Sequence, residues 1–237
     1  YTGIHTNTGA TLFRRITPVK RILPVLRFGM ADHPGQERYA PDAAFRFVGG
    51  DASLDFVNTA DWTPRGLERD RFTSYDRLLE WARGAGVLDS AGARRAAQAA
   101  VKHPRRAAEA VEAARGARQA LQAIFASVAA GRPSAGALDR LNALVADAAP
   151  HLRVVRDTSG RFQRGWDALG ESPESILWPV IWAAADLLSS ADAAQVRMCG
   201  GKDCGWLYVD RSRNGLRRWC EMSVCGMAEK NRRRATR

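Results

Sequence analysis

The sequence predicts a mainly helical protein with a minor β component, in which a helical N-terminal domain precedes a small C-terminal four-cysteine module. Three observations carry this. Residues 82–149 are rich in alanine, with apolar positions recurring at three- and four-residue spacing. Alternating runs suited to strands are few and short, and all four cysteines fall within residues 199–225. With 46% hydrophobic and 26% charged residues, 237 residues suffice for one ordinary core plus an appended module. The longest apolar run, Ile176 to Ala185, is too short to cross a membrane and carries Pro179, so no membrane span is expected.

Residues 1–42 read as a basic, polar extension without regular structure. Met30 opens a polar run through Ala31, Asp32, His33 and Pro34 that reads as a natural chain start, which makes residues 1–29 an upstream extension. A basic arm touching nucleic acid is the alternative. The helical domain is expected over residues 43–190. Phe45 to Thr59 suggests a short strand, a Gly49-Gly50 turn and an apolar segment with Leu54, Phe56 and Val57. Thr73 with Asp76 three residues on predicts a capped helix carrying Leu78, Leu79 and Trp81, closed by Gly84 and Gly86. Breaks near Pro104 and at Gly131-Arg132-Pro133 divide the alanine-rich region. Between them Val111, Ala114, Leu121, Phe125 and Val128 define a buried stripe. His151–Asp157 and Arg161–Asp167 read as a hairpin. Ser172 and Pro173 predict the start of a helix that is apolar nearly all round and therefore central.

The formal net charge of +11 is unevenly placed. Residues 1–29 hold five basic and no acidic side chains, residues 30–193 twenty and twenty-one, and residues 194–237 eleven and four. The body is thus neutral, and two terminal segments carry a field that suits a polyanion. Within residues 194–237 the pattern is Cys199-x4-Cys204-x15-Cys220-x4-Cys225. Two close thiol pairs separated by a foldable segment match the needs of one tetrahedral zinc ion, and a closed four-thiolate shell makes such a zinc structural. Two disulfides are the extracellular alternative and buried unliganded thiols a third. The N-terminus lacks the apolar core of a secretory signal, which favours a reducing cytoplasm. Gly200, Gly201, Gly205 and Gly226 are expected to turn the backbone tightly and aim N–H groups at the sulfurs. Trp206 to Val209 reads as a strand and Asp210 to Gly215 as a turn, giving a finger of β-hairpin and helix.

Arg211, Arg213, Arg217 and Arg218 lie between the cysteine pairs, and Lys230, Arg232, Arg233, Arg234 and Arg237 follow them. On a helix, Lys230, Arg233, Arg234 and Arg237 share one face that suits a phosphate backbone. DNA is the expected partner, with RNA or an acidic protein as the alternative.

These residues resemble a known family. Cys204-Gly-Trp-Leu-Tyr-Val-Asp210, Ser212-Arg-Asn-Gly215, Arg217-Arg-Trp-Cys220, Met222 and Cys225-Gly226 are similar to the bacterial CGNR zinc finger. Gly49-Gly50 through Leu54-Asp-Phe-Val-Asn-Thr59 resembles the opening of the ABATE domain found before that finger. The resemblance implies a stress-induced transcription regulator whose finger binds DNA. Met227-Ala228 stands where that family has Asn-Arg, which leaves zinc binding untouched and removes one candidate nucleic-acid contact.

In the helical domain Arg118 falls on or beside the apolar stripe. A buried arginine needs a carboxylate, and Asp55 is the expected partner. The functional alternative is that Asn58 and Arg118 grip a small anionic effector. His5, His33, His103 and His151 read as surface residues, no catalytic constellation is visible, and the helical domain is expected to modulate DNA occupancy or to form a homodimer.

Overall fold

The computed structural model describes residues 16–18, 44–157 and 159–235. The expectations for a chain start at Met30, for most of residues 1–42 and for Arg237 lie outside the described residues.

Asp51 caps α1 (Ala52–Val57), its carboxylate accepting from the Ser53 N–H at 2.9 Å. All six residues of α1 are buried, so the segment shows no helical period in its sequence. Residues 44–48, expected as a strand, form no regular element; their backbone serves the C-terminal finger instead. A hairpin follows, β2 (Ala60–Thr63) and β3 (Gly66–Asp70), which the sequence reading missed although Pro64 and Gly66 mark its turn. Gly66 has φ +117°, a conformation that favours glycine.

Helix α2 (Tyr75–Gly84) is capped by Ser74 rather than Thr73, the Ser74 hydroxyl accepting from the Arg77 N–H at 3.3 Å. Helices α3 (Ser90–Lys102) and α4 (Pro104–Ala129) meet at His103, and Pro104 opens α4 where its missing N–H costs nothing. In α4, Val111, Ala114, Leu121 and Phe125 are buried as expected and Val128 is half-buried. After α5 (Ala135–Ala148), β4 (Leu152–Arg156) and β5 (Phe162–Asp167) form the expected antiparallel hairpin. Ile16–Pro18 (β1) adds an antiparallel strand to the other side of β5. Pro173–Ile176 makes a single 3₁₀ turn in which the Ser172 side chain caps nothing; the central helix α6 starts only at Leu177 and ends at Leu188.

One contiguous core runs through these elements. Its aromatic centre is Phe56 of α1, Trp81 of α2 and Phe72 from the loop before α2, with ring centroids 5.0 to 6.1 Å apart, each pair adding about 0.5–1.5 kcal/mol beyond area burial. The same core continues into β6 (Val196–Met198) and β7 (Leu207–Val209), an antiparallel hairpin packed against α4 and α1. A π-helical turn (Met222–Gly226) and α7 (Met227–Ala235) complete the chain's described part. The protein is mainly helical, with small antiparallel sheets and a C-terminal four-cysteine cluster.

Candidate metal centre

The hairpin delivers the first cysteine pair. Cys199 directly follows β6, and its N–H donates to the Trp206 carbonyl at 2.8 Å, extending the ladder by one bond. Cys204 closes the connection, its N–H donating to the Gly201 carbonyl at 3.1 Å. The second pair frames the π-helical turn, with Cys220 before it and Cys225 within it. All four thiols are buried and free, and their sulfurs lie within 4.8 Å of one another.

The sulfur spacing tests which chemistry they suit. Sγ of Cys204 and Cys220 are 3.8 Å apart, and Sγ of Cys220 and Cys225 are 3.6 Å apart. A tetrahedron with metal–sulfur distances of about 2.3 Å has edges of about 3.8 Å, whereas a disulfide needs about 2.05 Å. The set fits one tetrahedral ion and not two disulfides. Contact with the sulfur of Cys199 first, then with Cys204, pushes the thiols of Cys220 and Cys225 above their ordinary range, and burial adds to it. Four thiolates this close need a cation to offset their repulsion. The Cys220 N–H also donates to Sγ of Cys199 at 3.3 Å, the outer-shell bond expected at a thiolate.

The glycines work differently from the sequence expectation. None of Gly200, Gly201, Gly205 and Gly226 has positive φ; they permit close approach. A Cβ on Gly226 would lie within van der Waals overlap of the Met222 sulfur, one on Gly201 would be 3.4 Å from Sγ of Cys225, and one on Gly205 would be 2.9 Å from Cβ of Trp62.

That last contact belongs to a seam between finger and body. Asn58 places its amide NH2 on the Leu207 carbonyl at 2.8 Å and its amide oxygen on the Leu207 N–H at 2.9 Å, so one buried side chain pairs both groups of a β7 residue. The Gly205 N–H donates to the Trp62 carbonyl, the Val209 N–H to the Gly49 carbonyl, and the Trp206 indole N–H to the Ala60 carbonyl at 2.8 Å. Arg46 pairs with Glu221. Burial pushes the Asp55 carboxyl up to about 7, against the opposing effect of the Gly49 N–H that it accepts at 2.7 Å.

The basic residues divide in the structure. Arg217, expected at DNA, donates to the carbonyls of Trp219 and Val48 at 3.0 and 2.9 Å and to that of Cys220, and lies over the Tyr208 ring. Arg211 pairs with Asp192 at 2.6 Å and donates to the Gly50 carbonyl at 2.5 Å. Arg232 and Arg233 pair with Glu229. Arg213, Arg218, Lys230 and Arg234 are exposed, and no ion pair involves them among the described residues.

Three further expectations meet a different arrangement. Arg118 is fully buried and pairs with Asp70 and the Thr59 hydroxyl, not with Asp55; Asp70 reaches it because β3 ends beside α4. Asn58 is occupied by Leu207 and Arg118 by Asp70 and Thr59, so both side chains expected to grip an effector are engaged in structural bonds. His151 is not a plain surface residue but stacks on Trp178 with centroids 3.6 Å apart. The buried Asp61–Arg71 pair, 2.8 Å apart, with Arg71 near the Trp206 ring, went unnoticed in the sequence because its hairpin did.

A helical body sharing its core with a four-thiol hairpin finger defines the class: a helical protein with a C-terminal metal-binding finger. The family described as "ABATE: Putative stress-induced transcription regulator" matches residues 50–191, and the CGNR zinc finger matches residues 195–237. The chain belongs to the ABATE family and carries a CGNR finger. Among curated proteins no match to the chain was found. No helix among the described residues is long and apolar enough to cross a membrane.

Proposed function

We propose that the protein is a zinc-dependent, DNA-binding transcription regulator of the cytoplasm and not an enzyme. Cys199, Cys204, Cys220 and Cys225 hold one zinc ion, whose four-sulfur shell has no position left for water or substrate and therefore serves structure. The observation that carries the reading is the set of exposed cations Arg213, Arg218, Lys230 and Arg234, which have no ion pair among the described residues; Arg218, Lys230 and Arg234 line one groove with Trp219 and Met222. Clustered positive charge of this kind suits phosphates, with counterion release supplying affinity. Arg232 and Arg233 are exposed but paired with Glu229, whose side chain is only 10% exposed, so they join them only by releasing that carboxylate.

The helical body holds the finger in a fixed attitude through Asn58, Gly49 and Trp62. Regulation then acts on that attitude, through a partner or a second copy bound to the body. The test is elemental analysis of the native protein together with duplex retention across a salt series. One zinc per chain and retention that falls steeply with salt are expected. Absence of zinc, or equal retention of duplex and of a neutral polymer, overturns the reading; preference for RNA or for an acidic protein redirects it.

A further inference from the structure

We propose that the groove between Trp219 and α7 holds an unpaired nucleotide of a DNA strand, its base stacked on the Trp219 indole and its phosphates on Lys230 and Arg234. This rests on the DNA-binding reading above and adds which part of the DNA the finger takes.

Trp219 directly precedes the third cysteine, and its backbone is fixed on both sides. The Arg218 carbonyl accepts from the Gly200 N–H at 2.9 Å, the Trp219 carbonyl accepts from Nε of Arg217 at 3.0 Å, and the Cys220 N–H donates to Sγ of Cys199. Glycines approach the indole at both ends. A Cβ on Gly226 would be 3.1 Å from its Cδ1 and one on Gly200 3.3 Å from its Cζ3, so the loops of both cysteine pairs meet the ring with backbone alone. A ring held in this way loses little freedom on binding, which suits a stacking platform. Trp219 is nevertheless only half-buried, and the exposed Arg218 places its guanidinium over the ring, 5.4 Å from the centroid. That face already accepts a planar cation, and the same face accepts a base once Arg218 moves onto a phosphate.

The groove measures about 410 Å³, within the range of small-ligand sites. Trp219 and Met222, the latter 63% exposed, give it an apolar wall. Arg218, Lys230 and Arg234 give it cations that have no ion pair among the described residues, and the last two lie one turn apart on α7. Glu229 also lines the groove, but its carboxylate is taken by Arg232 and Arg233. A neighbouring hollow past Leu216 shares Arg218, Trp219 and Met222 and adds no further available cation, since Arg217 there is bonded to carbonyls.

The combination selects the occupant. A duplex backbone uses the cations and leaves the aromatic wall idle, because a paired base has its faces covered by its neighbours and shows a protein only its edges. An acidic peptide likewise answers the charge alone. A nucleotide out of the stack joins a flat apolar face to a phosphate within one residue, which matches Trp219 and α7 together.

The experiment uses the zinc-loaded full chain and three short duplexes of one sequence: fully paired, with one bulged adenine, and with that bulge made abasic. Wild type should bind the adenine bulge about tenfold tighter than either of the others, and tryptophan emission should fall on that duplex alone. Trp219→Phe keeps a stacking ring and should retain the preference while losing the fall in emission. Trp219→Leu should lose both at wild-type zinc content. Leu216→Ser, which touches only the neighbouring hollow, should behave as wild type. Equal affinity of wild type for adenine and abasic bulges, an undiminished fall in Trp219→Phe, or loss of the preference in Leu216→Ser overturns the site and leaves DNA binding standing. Deoxyadenosine monophosphate that competes as well as the bulged duplex makes a free nucleotide the occupant and overturns the strand. If wild type retains no duplex in the salt series, the functional reading fails as well.

Discussion

The two faces of the finger use the same residue types for opposite ends. On the inward face Arg217, Trp206 and the β7 backbone meet carbonyls and amides supplied by residues 48–62 of the body. On the exposed side Arg213, Arg218, Lys230 and Arg234 have no ion pair among the described residues. Arg217 and Arg218 are neighbours in sequence, yet one is bound to Val48, 169 residues away, and the other stands over Trp219 in solvent. The difference teaches that a basic cluster becomes a binding surface only after the fold has withdrawn the cations it needs for itself.

The strongest way to break this comparison is to remove the metal site. A finger hung on a linker would unfold alone when Cys220 is replaced by Ser, and the sequence by itself suggests that outcome. The inward face argues otherwise, because Val196, Leu207 and Val209 belong to the same core as Leu54, Phe56 and Leu121. Structural zinc contributes about 10–16 kcal/mol in finger peptides, as much as the whole stability of an ordinary domain. Cys220→Ser should therefore lower the Tm of the helical body by more than 10 °C in a single transition, followed by circular dichroism at helical wavelengths. A body that melts at the wild-type temperature would show the two faces to be energetically separate.

How much of this was legible follows from which signals are local. The cysteine spacing, the stripe on α4 and the β4–β5 hairpin each declare themselves within one short window, and the structure contains all three. Helix α1 gave no period because all six of its residues are buried, so its sequence read only as an apolar segment. The partner of Arg118 was misassigned because Asp70 lies on an unrecognised hairpin. The bonds that hold Arg211 and Arg217 to the body run to carbonyls more than 150 residues distant, and no spacing rule in a single sequence reports that.

Asp55 sharpens the comparison through pH. Its carboxyl braces the Gly49 N–H, while the Gly49 carbonyl receives the Val209 N–H of the finger, so it stands directly beneath the inward face. With a folded pKa raised from 3.8 to about 7, the native state holds a proton that the unfolded chain has released. This stabilisation is complete below about pH 4 and is lost as pH rises through about 7, amounting to about 4 kcal/mol at most across that window. Asp55→Asn should remove the slope between pH 4 and 7, measured as the difference in urea-unfolding free energy from wild type, which subtracts the other carboxylates. An unchanged difference at pH 4.5 and 7 would mean that Asp55 stays ionised in the fold.

Asn58 is the smaller lever on the same seam. Asn58→Ala leaves the buried N–H and carbonyl of Leu207 without partners, at about 1–3 kcal/mol for each unsatisfied group. The expected loss is about 3 kcal/mol in urea unfolding, and hydrogen exchange at the Leu207 amide should quicken more than at amides of α5. Equal quickening throughout would make Asn58 a general core residue and not a clasp for the finger.

The outward face offers the smallest and most discriminating effect. Each phosphate contact steepens the fall of log K with log salt by about 0.9, so replacing both Lys230 and Arg234 by Gln should make the slope shallower by about 1.8. Arg232 and Arg233 start from a different state, since Glu229 neutralises part of their charge, and its own pKa is lowered by Arg232 first and Arg233 next. Their contact with phosphate must first release Glu229, and the freed carboxylate then stands beside the DNA. The double Gln variant at 232 and 233 should therefore change the slope by less than the variant at 230 and 234, and both should weaken random and selected duplexes alike, because phosphate contacts carry no sequence information. Glu229→Gln supplies the third arm: it releases both arginines, and the slope should steepen. If the two double variants shift the slope equally and Glu229→Gln shifts it not at all, the ion pairs on α7 open without consequence, and the division of the outward cations into free and withdrawn ends at residue 218.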